Sequence, residues 1–208
     1  MRNILTFCLL ILLFSCKKSE TLTTTFEGIT SISGKIENWT LGSDKTIVFG
    51  LYENDGSSSI DTNGNFHISN LTIPNRLISI DSSVIGKLFK VSNHNIKTAT
   101  AILSVYNSTD LINVIGHVHA GNRDISTSNY ADGDYKVYYI YVNDDVSING
   151  SSSISAMGNS SAINSSLYLK KGWNEYLYKI VSASSKSGRV DCVTDSIPSS
   201  AKWYYEIY

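Results

Sequence analysis

Asp134-Tyr135-Lys136-Val137-Tyr138-Tyr139-Ile140-Tyr141-Val142 is the stretch that decides the fold class. Successive side chains of a strand point to opposite faces. Tyr135, Val137, Tyr139 and Tyr141 therefore share one face, and Tyr138, Ile140 and Val142 the other. A strand wetted on one side would show a polar row there. Apolar and aromatic residues on both sides predict a central strand covered from two directions.

The same two-residue period recurs on either side. Toward the C-terminus, Leu167-Tyr168-Leu169-Lys170-Lys171-Gly172-Trp173-Asn174 leads into residues 175–181 as strand, bend and strand. Residues 189–194 and 202–208 complete the set, with Pro198 in the turn between them. Residues 147–166 are rich in Ser, Asn and Gly, with isolated Ile148, Ile154, Met157 and Ile163, and predict a weak edge strand over part of the stretch and loop over the rest. Toward the N-terminus, residues 98–107 and 111–120 form strands around the turn Ser108-Thr109-Asp110, and residues 122–134 form a polar loop. Farther out, residues 29–36, 45–52, 65–69 and 76–80 alternate between turns at Asn54-Asp55-Gly56 and Asp61-Thr62-Asn63-Gly64. No helical period of useful length follows residue 26. The chain is expected to be all-β, with two small β-sandwich domains at 29–81 and 98–208 joined by a linker at 82–97.

Ile32-Ser33-Gly34-Lys35-Ile36, followed by Ile60-Asp61-Thr62-Asn63-Gly64-Asn65-Phe66-His67-Ile68, resembles the outline of the carboxypeptidase-regulatory or transthyretin-like β-sandwich. The resemblance covers residues 29–81 and implies a non-catalytic accessory module. The loop from Asp61 to Asn65 has a superficial likeness to a calcium loop but lacks the later glutamate of an EF-hand, so it is read as a hairpin turn.

The N-terminus reads as an export signal. Met1-Arg2-Asn3 carries one positive charge, and residues 4–14 are apolar apart from Thr6. That run is about 11 residues long, against roughly 20 for a spanning helix. Leu13-Phe14-Ser15-Cys16 resembles the cleavage box of bacterial lipoproteins. The resemblance implies cleavage between Ser15 and Cys16 and lipid on the Cys16 thiol. Residues 1–15 are then the signal peptide, and 16–28 a lipidated, Thr-rich flexible tether. Lys17 stands where an inner-membrane retention signal would place Asp, which implies outer-membrane delivery, with the surface or periplasmic face left open. The leader, together with Tyr139-Ile140-Tyr141-Val142 and Trp203-Tyr204-Tyr205, is similar to uncharacterised lipoproteins of Bacteroidota. Asp195-Ser196-Ile197 resembles the O-glycosylation tripeptide of that group, which would place a glycan on Ser196.

Charged residues make up 17% of the chain and the net charge is -1, so there is no basic stripe to hold nucleic acid. Of three cysteines, Cys8 leaves with the signal and Cys16 takes lipid. Cys192 is then alone, and between Asp191 and Val193 it is read as a small buried hydrophobe.

Candidate chemistry is sparse. His117 and His119 lie two apart on one strand and so share a face. They would share a metal if Asp124, Asp132 or Asp134 added oxygen. The cheaper explanation has Val118 facing the core and both histidines facing water. Asp144-Asp145 are adjacent, point apart on a strand, and read as turn residues rather than a catalytic pair. No G-x-S-x-G or H-E-x-x-H motif is present, and neither an enzyme activity nor a cofactor is expected. Trp39, Trp173, Trp203 and the tyrosines offer a sugar-stacking surface if exposed, with Trp173 and Trp203 the candidate ligand-binding pair, or core and cross-strand pairs if not. The expected function is a non-enzymatic binding or scaffold module at the outer membrane. One alternative is a surface protein that binds a glycan or host ligand. Another is a periplasm-facing structural subunit with a protein partner paired on an open edge at 189–194 or 202–208.

Overall fold

The computed structural model describes residues 28–83, 87–124, 130–156, 159–184, 187–195 and 197–207, with the backbone alone at 154–156, 159, 160 and 187. The chain is all-β. Its centre is the strand β9 (Tyr135–Val142), on which only Tyr138 is more than slightly exposed. As the alternation predicts, the two faces of β9 feed different cores. Tyr135, Val137, Tyr139 and Tyr141 enter a large cluster with Ile47, Phe49, Leu103, Val118, Trp173 and Leu177. Ile140 and Val142 enter a second cluster with Ile80, Val91, Ile96, Val146, Ile148, Leu167 and Leu169. Both sides of the strand are thereby removed from water, the main favourable term in folding.

The N-terminal strands are β1 (Ile32–Lys35), β2 (Lys45–Gly50), β3 (Gly56–Ile60) and β4 (Asn65–Ile68). The β3–β4 connection is the expected hairpin. The Asp61 carboxylate accepts the backbone N–H groups of Asn63 and Asn65 at 2.8 and 2.9 Å, and Gly64 takes a φ of +84° that a side chain would strain. Those bonds hold the Asp61 carboxyl below its usual range, the Asn65 side chain contributing most.

Next come β5 (Ile78–Ser79), the 3-10 turn Ile80–Ser82, β6 (Lys90–Val91), β7 (Lys97–Asn107) and β8 (Asp110–Gly121). β10 (Val146–Ala156), β11 (Asn159–Leu169), β12 (Gly172–Ala183), β13 (Ser187–Val193) and β14 (Lys202–Ile207) follow β9. The described strands form one hydrogen-bonded sheet in the order β1-β4-β3-β2-β7-β8-β9-β12-β13-β11-β10-β6, with β14 on β8 and β5 on β7. The sheet is continuous across residues 82–97: β2 pairs with β7 from Lys45↔Asn107 to Gly50↔Ile102. Residues 82–97 themselves carry β6 and bury Val91 and Ile96 in the second core.

Two expectations need correction. Residues 147–166 are not a weak strand and a loop: β10 and β11 pair over their full lengths, from Val146↔Leu169 to Ala156↔Asn159. Serine favours loops in isolation, but Val146, Ile148, Leu167 and Leu169 root this hairpin in the second core. β13 then pairs parallel to β11 and extends the sheet. The edges that the structural-subunit alternative would use, at 189–194 and in the described part of 202–208, are also occupied. β13 lies between β12 and β11. β14 pairs with β8 on one side, and on the other the Asn38 side-chain amide bonds both backbone groups of Tyr205 at 2.9 Å, as a strand would. β10 pairs with β11 along its length but on its other side only with β6, at Ile148 and Asn149, which leaves the rest of that edge open.

Candidate functional site

β7 changes partners along its length. From Thr98 to Ala101 it pairs with β9, and from Leu103 onward it pairs with β8. β8 and β9 meet directly only at Gly121↔Lys136. A Cβ at Gly121 would lie 2.6 Å from the Tyr135 carbonyl oxygen, so the strands close there only because residue 121 has no side chain. Between that pinch and the branch of β7, the strands part. A half-open cleft of about 170 Å³ results, with Ala101, Leu103, Val118 and Val137 among its apolar walls and His117, His119, Lys136, Glu206 and Tyr138 at its polar end.

Register explains the company. Glu206 of β14 stands opposite His117 of β8, and Tyr204 opposite His119. Val118 faces the large core, as alternation predicts. The histidines do not face open water, however. The His119 side chain is only 11% exposed and lies beside the Tyr204 ring, at 5.9 Å between centroids. Both of its ring nitrogens are sealed from solvent without a well-aligned hydrogen bond, the Arg123 backbone lying close enough to act on the imidazole. Burial pushes its pKa down to about 4, the nearby Lys136 ammonium adding to the effect. His117, with Nδ1 3.2 Å from Ser104 Oγ, is also lowered by burial, against a smaller opposing pull from Glu206.

Lys136 is the one cation on β9, and its side chain is 9% exposed. Its ammonium lies 3.6 Å from Glu206 Oε2 and 5.9 Å from the centre of the Tyr130 ring. The same carboxylate oxygen is 3.7 Å from His119 Nδ1. Beside this group, Tyr138 stacks on Tyr176 at 5.7 Å and meets Tyr178 edge-on at 5.5 Å. Burial, then its tyrosine neighbours, pushes the Tyr138 hydroxyl up to about 12, so the ring stays neutral.

The aspartates that would complete a metal site with His117 and His119 are engaged elsewhere. Asp134 binds Arg123 at 2.6 and 2.8 Å, Asp132 accepts the Ala183 N–H at 2.7 Å, and Asp124 faces Asn38 at 3.4 Å. Among the described residues no group of three His, Cys, Asp or Glu is disposed to hold a metal. The Lys136 ammonium beside the Glu206 carboxylate would itself repel a cation.

The two tryptophans named as the candidate ligand-binding pair are packing residues, the other reading of the sequence. Trp173 is 2% exposed, packs on Phe49 at 4.6 Å and on Tyr141 at 5.6 Å, and donates its indole N–H to the Thr72 carbonyl at 2.8 Å. Trp203 is half-buried, edge-on to Phe66 at 5.1 Å and seated over Gly34. Both are drawn inward because they lie on the face that carries the large core. Asp144 and Asp145 lie in the turn before β10. There the Asp145 carboxylate binds the Lys170 ammonium at 2.7 Å and the Lys171 N–H at 2.9 Å. Cys192 is half-buried at the rim of the second core, and burial, then Asp191, pushes its thiol up to about 11. Ser15, Cys16 and Ser196 lie outside the described residues.

Sequence reasoning missed Lys136, Tyr138 and Glu206 as a group. One signal was available: a lysine inside the most apolar strand of the chain, where a buried cation needs a partner. No family model matches this chain, nor does any curated protein or solved structure.

Proposed function

We propose that this protein is a lipid-anchored, non-enzymatic binding module of the bacterial cell envelope, held at the outer membrane through Cys16, with the β7–β8–β9 cleft as its ligand seat. The observation that carries the seat is His119. A buried imidazole whose two nitrogens lack a well-aligned hydrogen bond, beside a buried lysine, is costly in a fold that has no use for it. The cleft that His119, Lys136 and Glu206 line offers a ligand a place beside this group. The tether rests on the Leu13-Phe14-Ser15-Cys16 box. The unit at 29–81, similar to the transthyretin-like modules, then serves as the accessory support of the cleft.

Two measurements test this. Cells producing the wild type and a Cys16→Ala variant are labelled with radioactive palmitate and fractionated. The wild type should carry label in the membrane, and the variant should be unlabelled and released. A variant that stays membrane-bound would sink the anchor. For the seat, a small-molecule fragment set is screened against the His119 and Tyr138 ring signals by NMR. Some fragments should shift both saturably; a set that moves neither would remove the cleft as a ligand seat.

A second reading, the scaffold subunit, is favoured by the open edge of β10. Residues 150–156 carry no charge and no proline, the usual guards against strand addition. Cross-linking in intact cells from a photoreactive residue at Ser151, capturing one defined partner, would support that reading.

A further inference from the structure

We infer that the end of the fold where the tether enters is itself a membrane-contact face, set on the bilayer surface through exposed Leu51, Tyr52, Ile73 and Ile78. This rests on the lipid anchor at Cys16 and adds how the anchored body stands on the membrane. Gly28 lies against the backbone of Lys171 and Trp173, and the Ile29 N–H donates to the Trp173 carbonyl at 2.7 Å. The Thr30 carbonyl accepts the Leu71 N–H at 2.9 Å, and the Trp173 indole donates to the Thr72 carbonyl at 2.8 Å. Leu71 and Thr72 are thereby fixed beside the point of entry. Ile73 follows directly and is 68% exposed.

Leu51, Tyr52, Pro74 and Arg76 line one depression with Ala99 and Thr100. Tyr52 is 75% exposed, and Leu51 and Ile78 are close to half-exposed. Ile78 pairs with Thr98, Thr98 with Val142, and Val142 with Gly172 next to Gly28. At about 4.8 Å between neighbouring strands, Ile78 lies within roughly 20 Å of Gly28. Single exposed apolar side chains need no explanation, but a group of them at one end of a body does. Aliphatic side chains enter the boundary of the acyl chains, and tyrosine rests at the level of the headgroups. The Arg76 guanidinium, 5.1 Å over the Tyr52 ring, has a stem long enough to reach lipid phosphate from there. The cations at this end, Arg76, Lys97, Lys170 and Lys171, are matched in number by Glu53, Asp55, Asp144 and Asp145. The contact is therefore apolar and interfacial, without a demand for anionic lipid. The tether supplies the direction. A coil of about a dozen residues, the distance from Cys16 to Gly28, has a mean span of about 20 Å, so lipid on Cys16 holds this end nearest the bilayer. Exposed Ile112, past the β7–β8 turn, lies at the other end of β7, about 30 Å away along the strand.

The test uses the full chain, lipidated in cells and reconstituted into phosphatidylcholine vesicles with and without phosphatidylglycerol. In a Cys192→Ala background, Tyr52→Cys, Ile73→Cys and Ile112→Cys are each labelled with the environment-sensitive dye NBD. On reconstitution the dye at positions 52 and 73 should brighten at least about twofold and be quenched by spin-labelled phospholipid, equally in both kinds of vesicle. The dye at position 112 should do neither. Hydrogen exchange on the unsubstituted lipidated chain reads the same face if a labelled variant misfolds. Amides of residues 51–53 and 73–76 should exchange at least about tenfold more slowly than in the soluble Cys16→Ala chain, and those of 111 and 112 at the same rate. Position 112 responding as strongly as position 73 would overturn the inference and leave the anchor standing. So would silence at all three positions in a chain that floats with the vesicles, or a response confined to phosphatidylglycerol. A chain that carries no lipid and does not float would remove the anchor and the inference together.

Discussion

Replacing His119 with Phe should change how the stability of this protein responds to acid. The imidazole titrates at about 4 in the fold, against an ordinary 6.5, because burial disfavours its charged form and Lys136 repels it. Lys136 and Glu206 are the charged groups that face it from β9 and β14, and His117 is its neighbour on β8. Between the two pKa values the unfolded chain binds more protons than the folded one. Stability is therefore lost as pH falls through 6.5 toward 4. Linkage with these values gives a loss of about 2.5 kcal/mol between pH 7.5 and 4.5 from this group alone. Phe abolishes the titration and forfeits no well-aligned hydrogen bond, and any weak contact with the Arg123 backbone is lost equally at both pH values. Urea unfolding of both proteins at the two pH values isolates the effect, because every other titrating group is common to both. The stability difference, variant minus wild type, should rise by about 2.5 kcal/mol on acidification. A change below about 1 kcal/mol would refute the reasoning, since the imidazole would then be as well solvated in the fold as outside it.

Asp55 should act in the opposite sense. It is 5% exposed, and burial, then Glu53, pushes its carboxyl up to about 6, so the folded state holds the extra proton and stability falls as pH rises from 3.8 through 6. Asp55→Asn should gain roughly 1–2 kcal/mol at pH 7.5 and nothing at pH 4, read by the same unfolding curves. Gly34→Ala places a Cβ 2.1 Å from Trp203 Nε1 and should cost about 2–3 kcal/mol in chemical denaturation. Adding Trp203→Leu should make the alanine cheaper than it is alone, and an alanine equally costly in both backgrounds would deny the contact. The Cys192 thiol, pushed up to about 11, should react with iodoacetamide at pH 7.5 roughly 100-fold more slowly in the folded protein than in urea. Equal rates would show the thiol to be exposed.

The sequence exposed what depends on local alternation and hid what depends on register between distant strands. β9 was legible because both of its faces are apolar, whatever lies across from them. The Asp61 hairpin was legible because its bonds close within five residues. The β10–β11 hairpin was not, since serine-rich segments become strands here only when Leu167 and Leu169 meet Ile80 and Ile96, residues some 70 to 90 positions away in a chain that folds as a whole. For the same reason, the exposure of Trp173 was undecidable until β12 had been paired with β9 and its ring set against Phe49.

The cleft is the extreme case. No segment contains it: it exists because β7 leaves β9 for β8 within a residue or two of Ala101. Its polar end is assembled from three strands, none of which has a motif of its own. The sequence marked it through the His117 and His119 pair and, unread, through Lys136. A lysine in the interior of a strand apolar on both faces must find an anion or a wet opening, since an unpaired buried cation would cost more than the strand's packing could easily offset. The fold supplies both, in Glu206 and the cleft. A charge that violates the pattern of its own strand therefore marks where neighbouring strands must part.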